Sequence, residues 1–263
     1  MQESGQVLTE ARDRSHAPVR DRVARARLAL IWAVLASLLL AGLPLLVPAL
    51  AWLAWPQRLV GSLAHELGHG VAAWLVGGTV ESLRLYSDGS GVALTRSPAT
   101  ASARAFVAAG GLFGPPLAGS LLFVAARDAR LARASLLLLT LGLGFALAFW
   151  VRNGFGWAWV AACTGVTGWA AWRGSGAALQ AFTCFLAVQA CLSSLAGTGY
   201  LFSAHARTGA GEMASDTAQI AAQLGGPHWL WGALVLLVSV AVMVAGLGLL
   251  LRALRRQLTS ASA

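Results

Sequence analysis

The sequence predicts an all-α integral membrane protein, a bundle of six or seven transmembrane helices with one short β-hairpin after the second. Three observations carry that expectation. Of 263 residues, 57% are hydrophobic and only 11% charged, whereas soluble domains run near a quarter charged. The apolar residues fall in stretches close to the 20 residues that a helix needs to cross a bilayer. The basic residues, all 19 of them Arg, flank those stretches. Six stand in the N-terminal arm (Arg12, Arg14, Arg20, Arg22, Arg25, Arg27) and three near the C-terminus (Arg252, Arg255, Arg256), as expected for segments held on the cytoplasmic side. The net charge of +9 therefore reads as a topology signal. No single basic stripe suggests a nucleic-acid partner.

The elements follow in order. Residues 1–27 form a polar, Arg-rich cytoplasmic arm, and the apolar stretch after it is too long for a cleaved signal peptide. The first span covers about 28–55, with Pro44 and Pro48 placed to kink or end it. A second helix covers about 57–76. Residues 79–95 alternate, with Leu83 and Leu85 against Arg84 and Tyr86 and Asp88-Gly89 at the middle, which predicts the hairpin. Further apolar stretches lie at 104–125, 133–151, 154–172, 177–196 and 228–252.

Two cytoplasmic termini require an even number of crossings. The stretch 104–125, interrupted by Gly110, Gly111, Gly114, Pro115 and Pro116, is then expected to be re-entrant. The Arg127–Arg133 loop would be cytoplasmic. Gly110 and Gly114 also make a small-xxx-small pattern that lets helices approach closely. Trp52, Trp55, Trp150, Trp169, Trp172, Trp229 and Trp231 sit near the ends of stretches, as an interfacial belt requires. The loop 197–227 is polar, and within it Ser215 is placed to cap a short helix that stops at Gly225-Gly226. Residues 28–252 read as one transmembrane domain and 253–263 as a cytoplasmic tail. Cys163, Cys184 and Cys191 show no paired spacing and read as packing residues.

The strongest chemical signal is His65-Glu66-Leu67-Gly68-His69. Positions i and i+4 share a helix face, so both imidazoles reach one metal. Glu66 lies between them, placed to accept a proton from water rather than to bind the metal. Ionisable groups inside a membrane helix cost about 2.5–3.5 kcal/mol each, and a divalent metal offsets that cost. A catalytic zinc usually takes a third protein ligand. Outside the N-terminal arm, the carboxylates besides Glu66 are Glu81, Asp88, Asp128, Glu212 and Asp216. Asp88 is explained by its turn with Gly89, and Asp128 by its arginine-rich loop. Glu81 stands on the hairpin. Asp216 stands just before an apolar-faced helix and reads either as a returning ligand or as an acidic residue favouring a helix N-terminus. His205 and His228 are reserve ligands, and His16 lies in the arm.

The membrane-embedded His65–His69 motif, Gly77-Gly78 and the Ser87-Asp88-Gly89-Ser90-Gly91 turn together resemble the site-2 protease family, and more narrowly its small bacterial peptidase-like branch. The resemblance covers about 58–120 and, more loosely, the loop and helix around 212–232. It implies one zinc per chain bound by His65 and His69, Glu66 as catalytic base, and a distal Asp ligand at the start of a later helix. That ligand maps onto Ser215-Asp216. The larger family carries Asn and Pro before an Asp-Gly pair there, whereas here Asp216 precedes Thr217 and the sole asparagine is Asn153. Gly110–Gly119 resembles the family's Gly-Pro segment without its asparagine. The implied activity is zinc-dependent intramembrane endopeptidase action on membrane-protein substrates, expected in a plasma membrane, and the all-Arg, Ala-rich composition points to a GC-rich bacterial source. The other readings are a non-proteolytic membrane metal-binding or transport protein, which has no need of Glu66, and a pseudoprotease.

Overall fold

A computed structural model describes residues 24, 27–28, 30–44 and 46–262. The arm at 1–27 falls almost wholly outside them. The chain is mostly helical. Helix α1 spans Leu30–Pro44, followed by a 3₁₀ segment at Pro48–Ala54. Then come α2 (Trp55–Leu75), β1 (Thr79–Leu85), β2 (Gly91–Arg96), α3 (Ala101–Ala126), α4 (Ala129–Phe149), α5 (Gly154–Arg173) and α6 (Gly176–Ala196). A short α7 (Thr198–Leu201), strands β3 (His205–Thr208) and β4 (Gly211–Ala214), α8 (Asp216–Leu224) and α9 (His228–Ser262) complete it.

Among the described residues, four helices are long and apolar enough to cross a membrane: α3, α4, α6 and the His228–Arg256 part of α9. Helices α2 and α5 have 21 and 20 residues, enough length for a crossing, but they are less apolar. Arg58, His65, Glu66 and His69 account for that in α2. After α1, Leu46 is still helical, Val47 N–H donates to the Leu43 carbonyl at 2.9 Å, and Pro48 opens the 3₁₀ segment that follows.

The re-entrant reading of 104–125 is corrected. Helix α3 runs unbroken through Pro115 and Pro116, both buried, and its 26 residues span about 39 Å. Membrane helices tolerate proline where packed neighbours cover the freed carbonyls, and α3 is packed by α2, α6, α8 and α9. The small residues make this central position possible. A Cβ at Gly68 of α2 would lie 3.1 Å from the Gly114 Cα and would collide with the Gly110 carbonyl oxygen. The α2–α3 crossing is therefore a backbone-to-backbone contact.

The first hairpin pairs β1 with β2 antiparallel, with a bulge between Val80 and Ser82. Gly89 takes φ 91° at the turn, a conformation open to glycine without steric cost. Asp88 Oδ1 accepts from the Ser90 hydroxyl at 2.7 Å and its backbone N–H at 2.9 Å. Those bonds hold the Asp88 carboxyl below its ordinary value. Leu83 also pairs with the α4–α5 junction, donating to the Trp150 carbonyl at 2.7 Å and accepting from Arg152 N–H at 3.0 Å. Asn153 grips both backbone groups of Leu85. Buried Leu83 and Leu85 pack with Leu63, Leu143, Ala146, Trp150, Val151 and Val160, which fixes the hairpin along α2.

The second hairpin, β3–β4, replaces what the sequence reads only as a polar loop. Its four-residue strands carry little apolar alternation, so no period-2 signal marks them.

Candidate metal centre

Two turns before its C-terminus, α2 turns three ionisable side chains into the bundle. His65 and His69 lie one helical turn apart, their Nε2 atoms 3.1 Å from each other. The facing wall is α3. There the Val107 carbonyl oxygen lies 2.8 Å from His69 Nδ1 and accepts its proton, which leaves the Nε2 lone pair directed at the cluster. Gly111 opposes the same ring so closely that a Cβ there would lie 2.7 Å from His69 Cδ2 and clash with Nε2. The glycines of 104–125 thus serve the site as well as the helix packing.

Asp216 arrives from 147 residues beyond His69 in the chain, at the first turn of α8. Its Oδ2 is 2.9 Å from His65 Nε2 and its Oδ1 is 3.5 Å from His69 Nε2. The carboxylate is buried. Ser215 is the N-cap, accepting from Ala218 N–H at 3.2 Å and donating to the Ser203 carbonyl at 2.6 Å. This cap sets the start of α8, and Gly225 at φ 82° ends it.

One ligand atom from each of His65, His69 and Asp216 lies within 4.8 Å of the others, a group able to hold a metal ion. Two imidazole nitrogens and a carboxylate oxygen are a donor set that suits a divalent transition metal. A cation held there would balance the buried carboxylate, whose charge is costly when unpaired.

Glu66 points elsewhere. It is buried against β2, where a Cβ on Gly91 would lie 2.7 Å from its Cγ, and the backbone at Ala93 hydrogen-bonds to its carboxylate. The site opens into a cavity of about 1590 Å³ that His65, Glu66, His69, Asp216 and the edge of β2 all line. Among the described residues β2 pairs with β1 alone, so no second strand covers its other edge, where the Ala93 backbone bonds to Glu66.

The reserve ligands are not brought to the cluster. Glu81 pairs with Arg96 across the first hairpin. His205 and Glu212 face each other at 3.8 Å on the exposed second hairpin. His228 contacts the Phe202 carbonyl. Sequence reasoning missed Tyr200, whose hydroxyl contacts Asp216, because it lies in an irregular polar loop where no spacing rule selects it.

Among curated proteins and among solved structures, nothing matches the chain. A family model described as Peptidase M50B-like matches residues 25–246, from the edge of the N-terminal arm to the middle of α9. That span contains the His65–His69 motif, Asp216 and the apolar helices that surround them, and it agrees with the resemblance to the site-2 proteases. The chain belongs to the Peptidase M50B-like family, and is a membrane protein of peptidase type.

Proposed function

We propose that the protein is a zinc-dependent intramembrane endopeptidase that cuts peptide bonds within or beside transmembrane segments of other membrane proteins. The observation that carries this reading is the convergence of His65, His69 and Asp216 with a separately oriented, buried Glu66 in one large cavity. His65, His69 and Asp216 would hold the zinc. When bound, it would supply Lewis acidity to water and to a peptide carbonyl. Glu66, kept off the ligand cluster by the β2 backbone, accepts a proton from the attacking water and hands it to the leaving amine. A base between the two histidines separates this reading from a transport or metal-storage protein, which has no use for one.

Hydrolysis needs an extended substrate backbone, and the free edge of β2 supports one by strand addition. A strand laid there runs beside Glu66, because Gly91 and Ala93 flank that carboxylate. The cavity admits water to a site otherwise enclosed by apolar helices. In this reading both termini are cytoplasmic, and the membrane is a bacterial plasma membrane.

The test is cleavage of a membrane-protein substrate by the purified chain in detergent or liposomes. The wild type should cut it. Glu66→Gln should not, although it keeps zinc. Zinc-loaded wild type that cuts no transmembrane substrate, in a panel of single-span proteins, would favour a non-proteolytic metal protein.

A further inference from the structure

We propose that Tyr200 is a positioning residue of the metal centre, locking the Asp216 carboxylate in the orientation that faces the two histidines. The inference rests on the metal-binding reading above and concerns a residue outside the ligand set. Tyr200 sits on α7, 16 residues before Asp216. Its hydroxyl donates to Asp216 Oδ2 at 2.9 Å and accepts from the Asp216 backbone N–H at 3.1 Å. One oxygen atom thus holds both ends of a single residue. The backbone bond satisfies an N–H of the first turn of α8 that has no partner within the helix, and the side-chain bond restricts the carboxylate's rotation. Among the described residues, Gln219 Nε2 is a further hydrogen-bonding neighbour, at 3.4 Å from Oδ1, too long a contact to orient the group alone. The Tyr200 ring stands edge-on to His65, with centroids 6.0 Å apart, so the same side chain borders two of the three ligands.

The phenol is itself held from behind. Leu201, next in sequence, is buried in a cluster with Ala105, Ala108, Leu112, Ile220 and Val235, and a Cβ at Gly232 of α9 would collide with the Leu201 carbonyl oxygen. Helix α7 therefore lies directly against the α9 backbone, and Tyr200 is presented from a fixed support. Hydrogen-bond partners of metal ligands set ligand orientation, and their loss typically weakens metal binding 10- to 100-fold. Phenylalanine at 200 keeps the ring and its packing and removes only the two hydrogen bonds.

The experiment is a zinc titration of the metal-free full-length chain in detergent against a competing chelator, for wild type, Tyr200→Phe and Tyr200→Leu. Thermal unfolding of the metal-free forms and the visible spectrum of the cobalt(II)-loaded forms are recorded alongside. Tyr200→Phe should bind zinc about 10- to 100-fold more weakly, with altered cobalt bands and metal-free unfolding close to wild type. Tyr200→Leu should bind zinc no more weakly than the Phe variant, because the hydroxyl carries the effect. Wild-type zinc affinity and cobalt bands in Tyr200→Phe, with loss only in Tyr200→Leu, would assign the ring a packing role and overturn the inference. A wild-type chain that takes up no zinc would overturn the metal-site reading itself, so the two failures are distinct.

Discussion

The two halves of the candidate metal centre are built by different means. His65 and His69 come from one regular helix, where the 3.6-residue period places them and the backbone of α3 walls them in. Asp216 comes from the far end of an irregular segment of a short helix, a small hairpin and a capped helix, tied by Ser215 to Ser203 and by Tyr200 to Asp216. The first half depends on helix-to-helix packing, which tolerates no added atoms. The second depends on polar contacts, each worth about 0.5–1.5 kcal/mol net. Damage to the first half should therefore be abrupt, and damage to the second graded.

The largest effect is expected at Gly111. Its missing side chain makes room for the His69 ring, so Gly111→Ala must displace either the imidazole or α3. Misplacement near 1 Å costs about 100-fold in rate, and cleavage assays should show at least that loss, with zinc content reduced. Activity near wild type in Gly111→Ala would mean that the α2–α3 wall yields easily, and the contrast between the halves would fall.

On the distal side, Asp216→Asn and Ser215→Ala dissect two roles. Asparagine serves near a helix start but is a poor zinc ligand, so Asp216→Asn should lose cleavage with melting close to wild type. Ser215→Ala removes the cap and should cost about 0.5–2 kcal/mol of stability, with zinc affinity reduced but measurable. A variant pair with the opposite pattern would make Asp216 a capping residue and remove it from the ligand set.

Much of the first half was legible in the sequence. The His65–His69 spacing names its own geometry, and Asp88-Gly89 between alternating residues marks the first hairpin. The unbroken course of α3 was not legible. Pro115-Pro116 and the glycines read locally as breakers, and only the neighbours that cover the helix let it continue. Asp216 was legible as one of two alternatives, since Ser215 followed by an amphipathic segment marks a helix start, while which carboxylate returns to the histidines is decided by tertiary contacts. Tyr200 and the second hairpin lie where composition is polar and aperiodic, and no local rule selects them. Asn153, singled out as the chain's only asparagine, turned out to anchor Leu85 at the end of β1.

The smallest effect is expected at the turn of the first hairpin, away from both halves. Asp88→Ala removes the two bonds from Ser90 and should cost at most about 1 kcal/mol at this exposed position. Because the Asp88 carboxyl is held below its ordinary value in the fold, its stabilisation is present above the usual carboxylate pKa of about 3.9. It is lost as pH falls through the lowered value. Amide exchange at Gly89 and Ser90 should quicken correspondingly in Asp88→Ala, while zinc binding stays as in wild type.

The central claim is that His65, His69 and Asp216 hold one zinc while Glu66 stands apart from it. Zinc content of the purified full-length chain tests this most directly, measured for wild type, His65→Ala, Asp216→Asn and Glu66→Gln. About one zinc per chain is expected in wild type and Glu66→Gln, little in His65→Ala, and weaker, chelator-sensitive retention in Asp216→Asn. Equal zinc in all four, or zinc lost from Glu66→Gln as readily as from His65→Ala, would contradict it.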